Sequence, residues 1–137
     1  MNNRTQLDRL IDDHFRYEAT DDVEGVVGTF AADGEHEMVG VADGLRHGKA
    51  TIRRFYEALF VSIQGEVVEP LKRYYGDNFV VDECIWHGQV TDGWAFGLPG
   101  KSGRASFRLL HVFELRDQHI ASEHLWFDRT ALERQLT

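Results

Sequence analysis

Apolar side chains in the first half of the chain recur every three or four positions, which is the spacing of one helix face. Around residues 7–18 this face also carries two polar side chains, His14 and Glu18, and we expect both to point inward. The full face comprises Leu7, Leu10, Ile11, His14, Phe15 and Glu18. The spacing therefore predicts a long first helix.

Two further helices are predicted from the same spacing. Asp21 and Glu24 resemble a capping box, so we expect a second helix to begin there and to end near Asp33-Gly34. A third helix is expected to start after Gly48 and to end before Gly65. The predicted inward side chains are Val23, Val26, Val27 and Phe30 in the second helix, and Ile52, Phe55, Tyr56, Leu59 and Phe60 in the third.

From residue 66 onward the pattern changes to alternation, which is typical of strands. Strands are predicted at residues 66–75, 79–90, 102–116 and 119–127, after a shorter extended piece at residues 35–41 and a turn at Asp43-Gly44. A last helical turn is predicted at residues 130–136. Helices followed by an antiparallel meander predict an α+β domain with the helices packed on one face of the sheet.

Length and composition restrict the architecture and the location. With 137 residues and 15.7 kDa, the chain is expected to form one domain, residues 1–137. No stretch is apolar for long enough to span a bilayer, and the N-terminal segment lacks the apolar core of a signal peptide. The single cysteine, Cys84, cannot form an internal disulfide, which fits a reducing compartment. We therefore expect a cytoplasmic protein.

The charge of the chain argues against polyanionic partners. The formal net charge is −8 and the isoelectric point is near 5.3. An acidic surface repels the phosphate backbone of nucleic acids and anionic lipid headgroups. We therefore expect no nucleic-acid partner and no membrane partner, and the charge by itself indicates no particular substrate.

Three segments carry a resemblance to a known superfamily. They are DDVEGVVGTFAADGEHEMVG at residues 21–40, GKATIRRFYEALF at residues 48–60 and LLHVFELRDQHIASEHLWFDRTALERQL at residues 109–136. Together they resemble the nuclear-transport-factor-2-like superfamily, and within it the SnoaL-like polyketide cyclases and the ketosteroid isomerases. The resemblance implies a cone-shaped, curved antiparallel sheet wrapped around the N-terminal helices, with a pocket for a small hydrophobic molecule between them.

The catalytic positions of these relatives are only partly kept. The resemblance to the ketosteroid isomerases places His14 where they have the phenol of the oxyanion hole, Met38 at the general-base aspartate and His111 at the protonated aspartate. The resemblance to the polyketide cyclases keeps His111 and places Leu125 at the catalytic aspartate. Because methionine and leucine exchange no protons, neither of these mechanisms is expected to carry over.

Polar residues on the inward faces could still perform acid/base chemistry. Histidine titrates near neutral pH, and a carboxylate that accepts one of its N–H groups holds it in one tautomer. We predict His14, His111 and Glu123 as catalytic residues. The predicted substrate-binding residues are Glu18, His36, Met38, Trp86 and Leu125.

Structural roles are the alternative for several of these residues. His14 could be a hydrogen-bonded core histidine, and Glu123 could pair with Arg108 or another neighbour across the sheet. The aromatic residues Trp86, Trp94 and Phe96 could fill the core instead of lining a pocket, and Met38 is expected to be apolar lining.

The sequence predicts neither a metal nor a cofactor. It contains seven histidines, but no pair of them has the spacing of a ligand motif. The glycine-rich segment 91–104 lacks the Gly-Lys-Ser/Thr arrangement of a phosphate loop. It could gate the pocket, with Trp94 and Phe96 as a lid, or form an ordinary hairpin.

Three functions are consistent with these patterns. The first is a cofactor-independent enzyme of the cyclase, isomerase or dehydratase kind, which acts on a hydrophobic cyclic or polyketide-like compound by histidine-based acid/base chemistry. The second is a binding protein for a small hydrophobic ligand that has lost the chemistry. The third is an accessory subunit. The outer sheet face, with Ile85 and Trp126, offers apolar area that a partner would cover. Because relatives commonly pair through this surface, the resemblance implies a homodimer.

Overall fold

The computed structural model describes residues 3–137, and its first helix is α1, Arg4–Ala19. Asn3 caps this helix in a reciprocal capping box, because its side chain accepts from the Gln6 N–H at 2.9 Å and the Gln6 side chain accepts from the Asn3 N–H at 3.1 Å. The inward face of α1 buries Leu7, Ile11 and His14. The long first helix predicted from the spacing is therefore present.

The second helix, α2 (Val23–Gly28), is shorter than predicted. Its N-cap is Asp22, whose side chain accepts from the Gly25 N–H at 2.8 Å, and not Asp21. It ends at Thr29 rather than near Asp33-Gly34, because the Thr29 hydroxyl and N–H both bond back to the carbonyl of Val26. A side chain at Gly25 would overlap the Tyr17 ring, so glycine lets α2 pack closely on α1.

The remaining elements follow in the order strand, strand, helix, four strands, helix. They are β1 (Phe30–Met38), β2 (Leu45–His47), α3 (Lys49–Ser62), β3 (Ile63–Tyr75), β4 (Phe79–Val90), β5 (Gly103–Arg116), β6 (His119–Phe127) and α4 (Arg129–Gln135). A short 3₁₀ turn at Trp94–Phe96 lies between β4 and β5. Within residues 3–137, no helix is both long enough and apolar enough to cross a bilayer.

The six strands form one curved, unclosed sheet in the order β2-β1-β6-β5-β4-β3. The predicted antiparallel meander is confirmed for β3 to β6. The curved antiparallel sheet that the resemblance implies is present, and one pairing within it, that of β1 with β6, is parallel. Strand β2 was not predicted, since three residues are too few to show an alternation.

A bulge in β6 decides which residues face the inside of the sheet. Leu115 of β5 pairs with Ile120 and Glu114 pairs with Ser122, so the register shifts by one residue at Ala121. After this shift Glu123 points to the same inner side as Ile120, and both are buried. The bulge therefore brings a carboxylate into the core.

An ion-pair network joins the edge strand β3 to α1. The Arg73 guanidinium donates to Asp82 at 2.8 Å and to Asp8 and Asp12 at 2.9 Å each. Burial opposes ionisation of Asp8, but its hydrogen bonds from Tyr75 and Arg73 outweigh this effect and lower its pKa. The network fixes one side of the space between the sheet and α1.

Candidate functional site

Six polar side chains meet inside the curved sheet, and we call them the buried polar cluster. Its members come from α1, β1, α3, β5 and β6. They are His14, Glu18, His36, Tyr56, His111 and Glu123. Five of them are buried, whereas the Glu18 side chain is 26% exposed and is the member that reaches solvent.

The closest charged contact in the cluster joins His14 and Glu123. His14 Nε2 lies 3.1 Å from Glu123 Oε1, and both side chains are 0% exposed. Glu18, one turn along α1, places its Oε1 3.7 Å from the same nitrogen. One imidazole nitrogen therefore faces two carboxylates. Phe30 and Phe113 pack on the His14 ring with centroids 5.6 and 5.5 Å away.

The opposite nitrogen of His14 contacts a hydroxyl. His14 Nδ1 lies 2.9 Å from Thr29 Oγ1, at the point where α2 ends. The ring is thus held at both nitrogens, by Thr29 on one side and by the two carboxylates on the other.

Tyr56 connects the two carboxylates. Its hydroxyl lies 3.1 Å from Glu18 Oε2 and 3.4 Å from Glu123 Oε1. Burial raises the pKa of Tyr56 well above its ordinary value, and the neighbouring carboxylates raise it further. The phenol therefore stays neutral and can donate its one proton to either carboxylate.

The cluster holds an ion pair next to a weak acid. Burial opposes the charge on His14, but Glu123 and Glu18 outweigh burial and raise its pKa. Burial likewise opposes the charge on Glu123, but His14 outweighs it and lowers the pKa of Glu123 to about 2. For Glu18, burial raises the pKa to about 7, although His14 partly offsets the effect. These shifts therefore favour a protonated His14 beside an ionised Glu123, and they leave Glu18 able to give or take a proton near neutral pH.

The two other histidines of the cluster are neutral. Burial lowers the pKa of His36 to about 4, and burial also lowers the pKa of His111. His36 Nε2 lies 3.9 Å from Glu123 Oε1, and the ring of His36 packs on Phe55 with centroids 4.5 Å apart. His111 packs between Phe15 and Phe113, with ring centroids 5.0 and 5.7 Å away.

Several buried polar atoms of the cluster have no hydrogen-bond partner among residues 3–137. They are His36 Nδ1, His111 Nδ1 and Glu123 Oε2, together with His14 Nε2, whose 3.1 Å contact with Glu123 Oε1 is an ion pair that lacks hydrogen-bond geometry. Buried polar atoms in folded proteins are nearly always hydrogen-bonded, so such a concentration is unusual. These atoms are the ones that a polar group of a bound molecule can satisfy.

The predicted site residues are brought together to different degrees. His14, Glu18 and Glu123 are in direct contact, and His36 adjoins them. His111 lies on the same inner face but makes no hydrogen bond or ion pair with His14 or Glu123. The predicted Met38 and Leu125 are strand neighbours of each other, and Leu125 is also the cross-strand neighbour of His111. They provide apolar lining beside the cluster.

Trp86 lies away from the cluster. It is buried on the inner face and pairs with Phe107, four residues along β5 from His111. At the rise of an extended strand this separation is about 13 Å. Its ring packs on Phe107 with centroids 5.5 Å apart, so Trp86 belongs to the core at the other end of the sheet.

Two of the structural alternatives can now be judged. Pairing of Glu123 with Arg108 is wrong, because Arg108 points outward and donates to Glu83 at 2.7 Å. The second alternative concerns the segment 91–104, which was predicted as a lid or a hairpin. In the structure its aromatic residues pack against the core. Trp94 Nε1 donates to Ser62 Oγ at 2.6 Å, and Phe96 packs on Phe107 and Phe127 with centroids 5.3 and 5.2 Å away.

Sequence patterns did not identify two residues of the site. Tyr56 was assigned only to the inward face of the third helix, although a hydroxyl on an otherwise apolar face was a usable signal. Thr29 was placed inside a helix that ends before it. Its contact with His14 depends on where that helix stops, which the periodicity did not show.

The cluster is closed to solvent except at Glu18. A cleft of about 220 Å³ lies between α1 and the turn joining β5 to β6, and one of about 150 Å³ lies on the outer sheet face. Neither cleft is lined by a member of the cluster. Glu18 is therefore the member of the cluster that is accessible from solvent.

Among residues 3–137, two groups of side chains have a geometry that could hold a metal ion. The ligand atoms of His14, Glu18 and Glu123 lie within 4.8 Å of one another. Binding there would require His14 to exchange its proton for the ion. The ligand atoms of Asp82, Cys84 and His111 are equally close, but Asp82 is already bonded to Arg73.

Comparison with known proteins places the fold in a family. The family profile of the SnoaL-like domain matches residues 11–123. No functionally curated protein matches the sequence significantly. Many solved structures are similar in fold.

Three of these structures illustrate the range of relatives. An LEH-like epoxide hydrolase from M. tuberculosis has a TM-score of 0.75 and 17% identity over 95% of this chain and 88% of that one. The epoxide hydrolase/cyclase-like enzyme SalBIII, described in pyran ring formation in the polyether salinomycin, has a TM-score of 0.76 and 19% identity over 96% and 97%. A hypothetical protein with a ketosteroid isomerase-like fold from Catenulispora acidiphila DSM 44928, in complex with trimethylamine, has a TM-score of 0.75 and 16% identity over 92% and 90%.

At these identities the structural likeness shows the fold, and the mixed α+β architecture is that of the nuclear-transport-factor-2-like and ketosteroid isomerase-like proteins. The family profile covers most of the chain, from the middle of α1 to Glu123. The chain therefore belongs to the SnoaL-like family.

Proposed function

We propose that this SnoaL-like protein is a cofactor-independent enzyme that binds a small hydrophobic molecule and moves protons on it with the buried polar cluster. One observation carries the proposal: His14 Nε2 and Glu123 Oε1 lie 3.1 Å apart in a fully buried contact, beside the weak acid Glu18. A protonated imidazole next to a carboxyl group with a pKa near 7 supplies both an acid and a base at neutral pH.

Each member of the cluster has a distinct role in this proposal. Glu18, when ionised, takes a proton from a C–H or O–H group of the substrate. His14 donates the Nε2 proton to the oxygen on which negative charge develops, and Glu123 balances the charge of the ring. The proton on Glu18 then returns to another atom of the substrate, and the oxygen gives its proton back to His14 Nε2. In this cycle the protein gains and loses no net proton, as an isomerisation or a cyclisation requires.

The neutral histidines act as binding groups. His36 and His111 each present a buried Nδ1 that has no partner in the described chain. A carbonyl or hydroxyl group of the substrate would pair with these atoms and so orient its reacting carbon. Met38 and Leu125 would contact the apolar part of the molecule.

The substrate class is a hydrophobic cyclic or polyketide-like compound. The aromatic rings of Phe15 and Phe113 and the apolar Met38 and Leu125 surround the polar atoms, so the site favours a largely apolar ligand with one or two oxygens. One structural relative is named as an epoxide hydrolase and another as an epoxide hydrolase/cyclase-like enzyme in pyran ring formation in the polyether salinomycin, and these names support the choice.

A ligand screen followed by matched variants tests the proposal. Polyketides, terpenoid epoxides and steroids are screened by thermal shift, and the best ligand is then assayed for conversion. We expect His14→Gln to reduce conversion by about 100-fold or more, as removal of a general acid does. His124→Gln is the control, because His124 contacts Glu37 at 2.8 Å in a similar pair away from the cluster. Equal conversion by His14→Gln and the wild-type protein would contradict the proposal.

A binding protein without catalysis is the second candidate. It is favoured by Met38 and Leu125, which stand where the resemblance places catalytic aspartates. Such a protein would bind neutral ligands with an affinity that hardly changes between pH 5 and 8. An enzyme would show the ionisation of Glu18 in its conversion rate within this range.

We further propose that the protein is a cytoplasmic homodimer that pairs through the outer sheet face. Val67, Tyr74 and Trp126 lie on this face and are 57%, 54% and 43% exposed. Exposed apolar area of this kind marks protein–protein contact surfaces. We expect a dimer in light scattering at micromolar concentration and a monomer for Trp126→Asp, and a monomeric wild-type protein would contradict the proposal.

A further inference from the structure

We propose that Thr29 is a positioning residue that holds a proton on Nδ1 of His14. The Thr29 hydroxyl lies 2.6 Å from the carbonyl oxygen of Val26 and 2.9 Å from His14 Nδ1. Both Thr29 and His14 are buried, so water does not compete for these contacts. The two distances together decide which atom carries the proton.

The assignment follows from counting donors. A threonine hydroxyl has one proton to donate, and a carbonyl oxygen can only accept. The 2.6 Å contact with Val26 therefore uses the hydroxyl proton, and Thr29 Oγ1 is left as an acceptor. His14 Nδ1 must then be the donor across 2.9 Å, so Nδ1 carries a proton.

The proton on Nδ1 determines what the second ring nitrogen, Nε2, presents to the carboxylates. With Nδ1 protonated, a neutral His14 presents an Nε2 lone pair to Glu123 and Glu18, and a charged His14 presents an Nε2 proton. Without Thr29, the neutral ring would instead keep its proton on Nε2, where the carboxylates accept it, and would leave Nδ1 bare. Thr29 thus makes a second proton on the ring favourable.

The other groups that face His14 do not act on Nδ1. They are Glu18 on its own helix, Tyr56 on α3, Glu123 on β6, and the neutral His36 and His111. The two carboxylates favour the charged ring, but they contact Nε2. Among residues 3–137, the recorded contact of Nδ1 is that with Thr29.

The position of Thr29 is set by the end of α2. Its N–H donates to the Val26 carbonyl at 3.1 Å, so the same carbonyl binds both polar groups of Thr29. Serine would keep this arrangement because it retains the hydroxyl. Valine has nearly the same shape but no acceptor for the His14 N–H.

Long-range ¹H–¹⁵N spectra of the histidine rings test the assignment without a substrate, because they distinguish protonated from bare ring nitrogens. In the wild-type protein we expect His14 Nδ1 to be protonated. In Thr29→Val we expect the protonation equilibrium of His14 to shift about tenfold or more toward the neutral ring, as loss of a hydrogen bond to a charged group does. Thr29→Ser should restore the wild-type spectrum.

The control variant is Ser106→Ala, which removes the hydroxyl 2.7 Å from Nδ1 of the half-buried His87 and should leave His14 unchanged. A bare Nδ1 in wild-type His14 would overturn the assignment, even if no variant could be purified. Equal His14 spectra for the wild-type protein and Thr29→Val would overturn it as well.

The kinetic consequence rests on the proposed function, whereas the spectra do not. If His14 is the acid, Thr29→Val should lower kcat by about tenfold or more with little change in KM, and Thr29→Ser should recover it. If the spectra show a protonated Nδ1 but no substrate is converted, the role of Thr29 stands and the proposed reaction is rejected. Unchanged kcat in a variant whose His14 spectrum has shifted would reject the kinetic role.

Discussion

His14 and Glu123 form a charge pair across 3.1 Å, one on the first helix and the other on the last strand, with neither side chain exposed. The pair joins the two ends of the chain through the centre of the fold. Each charge of the pair depends on the other, because a buried charge that loses its counterion has neither water nor an opposite charge to stabilise it. The pair is thus expected to matter for stability as well as for chemistry.

Replacement of Glu123 by glutamine should destabilise the protein by about 3 kcal/mol, because it leaves a protonated His14 unpaired or forces it to lose its proton. Urea unfolding at neutral pH measures this change. The matched control is Glu37→Gln, which breaks the partly exposed pair with His124 and should cost less than about 1 kcal/mol. Similar losses for the two variants would show that the buried pair contributes no more than a surface pair.

Removal of the Tyr56 hydroxyl should cost about 2 kcal/mol, because two carboxylates then lose the donor that lies between them. Tyr56→Phe keeps the ring and its packing against Phe55. Tyr74→Phe, on the exposed outer face, serves as the control and should stay within about 0.5 kcal/mol of the wild-type protein. Thermal unfolding of the two variants side by side gives the comparison, and an equally stable Tyr56→Phe would refute the bridging role.

Glu18 should make the protein less stable as the pH rises toward neutrality. Its pKa is raised from 4.5 to about 7 in the folded protein, so the folded state binds its proton more tightly than the unfolded chain does. The stability that this proton contributes is complete below pH 4.5 and is lost as the pH rises through about 7.

Glu18→Gln should remove this pH dependence. The difference in unfolding free energy between the wild-type protein and the variant is measured in urea across this pH range. The exposed Glu57 on α3 gives the control variant Glu57→Gln. A difference that stays constant with pH would mean that Glu18 titrates as an ordinary surface carboxylate.

The sequence predicted the inward faces better than the connections between elements. Four-residue spacing placed His14 and Glu18 on one helix face. In the structure His14 Nε2 lies 3.7 Å from Glu18 Oε1. Alternation placed Glu123 and Leu125 on one face of β6, the resemblance to the cyclases made that face the inner one, and both residues are buried. Local periodicity suffices for such statements because it reports which side of one element is buried.

Contacts between elements that are far apart in the sequence could not be predicted from the hydrophobic pattern. The parallel pairing of β1 with β6 depends on how the chain returns across the sheet, and the end of α2 depends on bonds to a single carbonyl at Val26. The contact of Thr29 with His14 follows from the second of these features. For the same reason, Trp86 could be predicted as buried but not as remote from His111.

The central claim is that the buried polar cluster receives the ligand, and the seven histidines of the chain can report on it directly. Ring ¹H–¹⁵N spectra are recorded with and without the best ligand from the thermal-shift screen. We predict that the resonances of the cluster histidines, His14, His36 and His111, shift on binding. The resonances of His47, His87, His119 and His124, which lie outside the cluster, should stay in place. Shifts confined to the histidines outside the cluster, with the three cluster histidines unchanged, would contradict the claim.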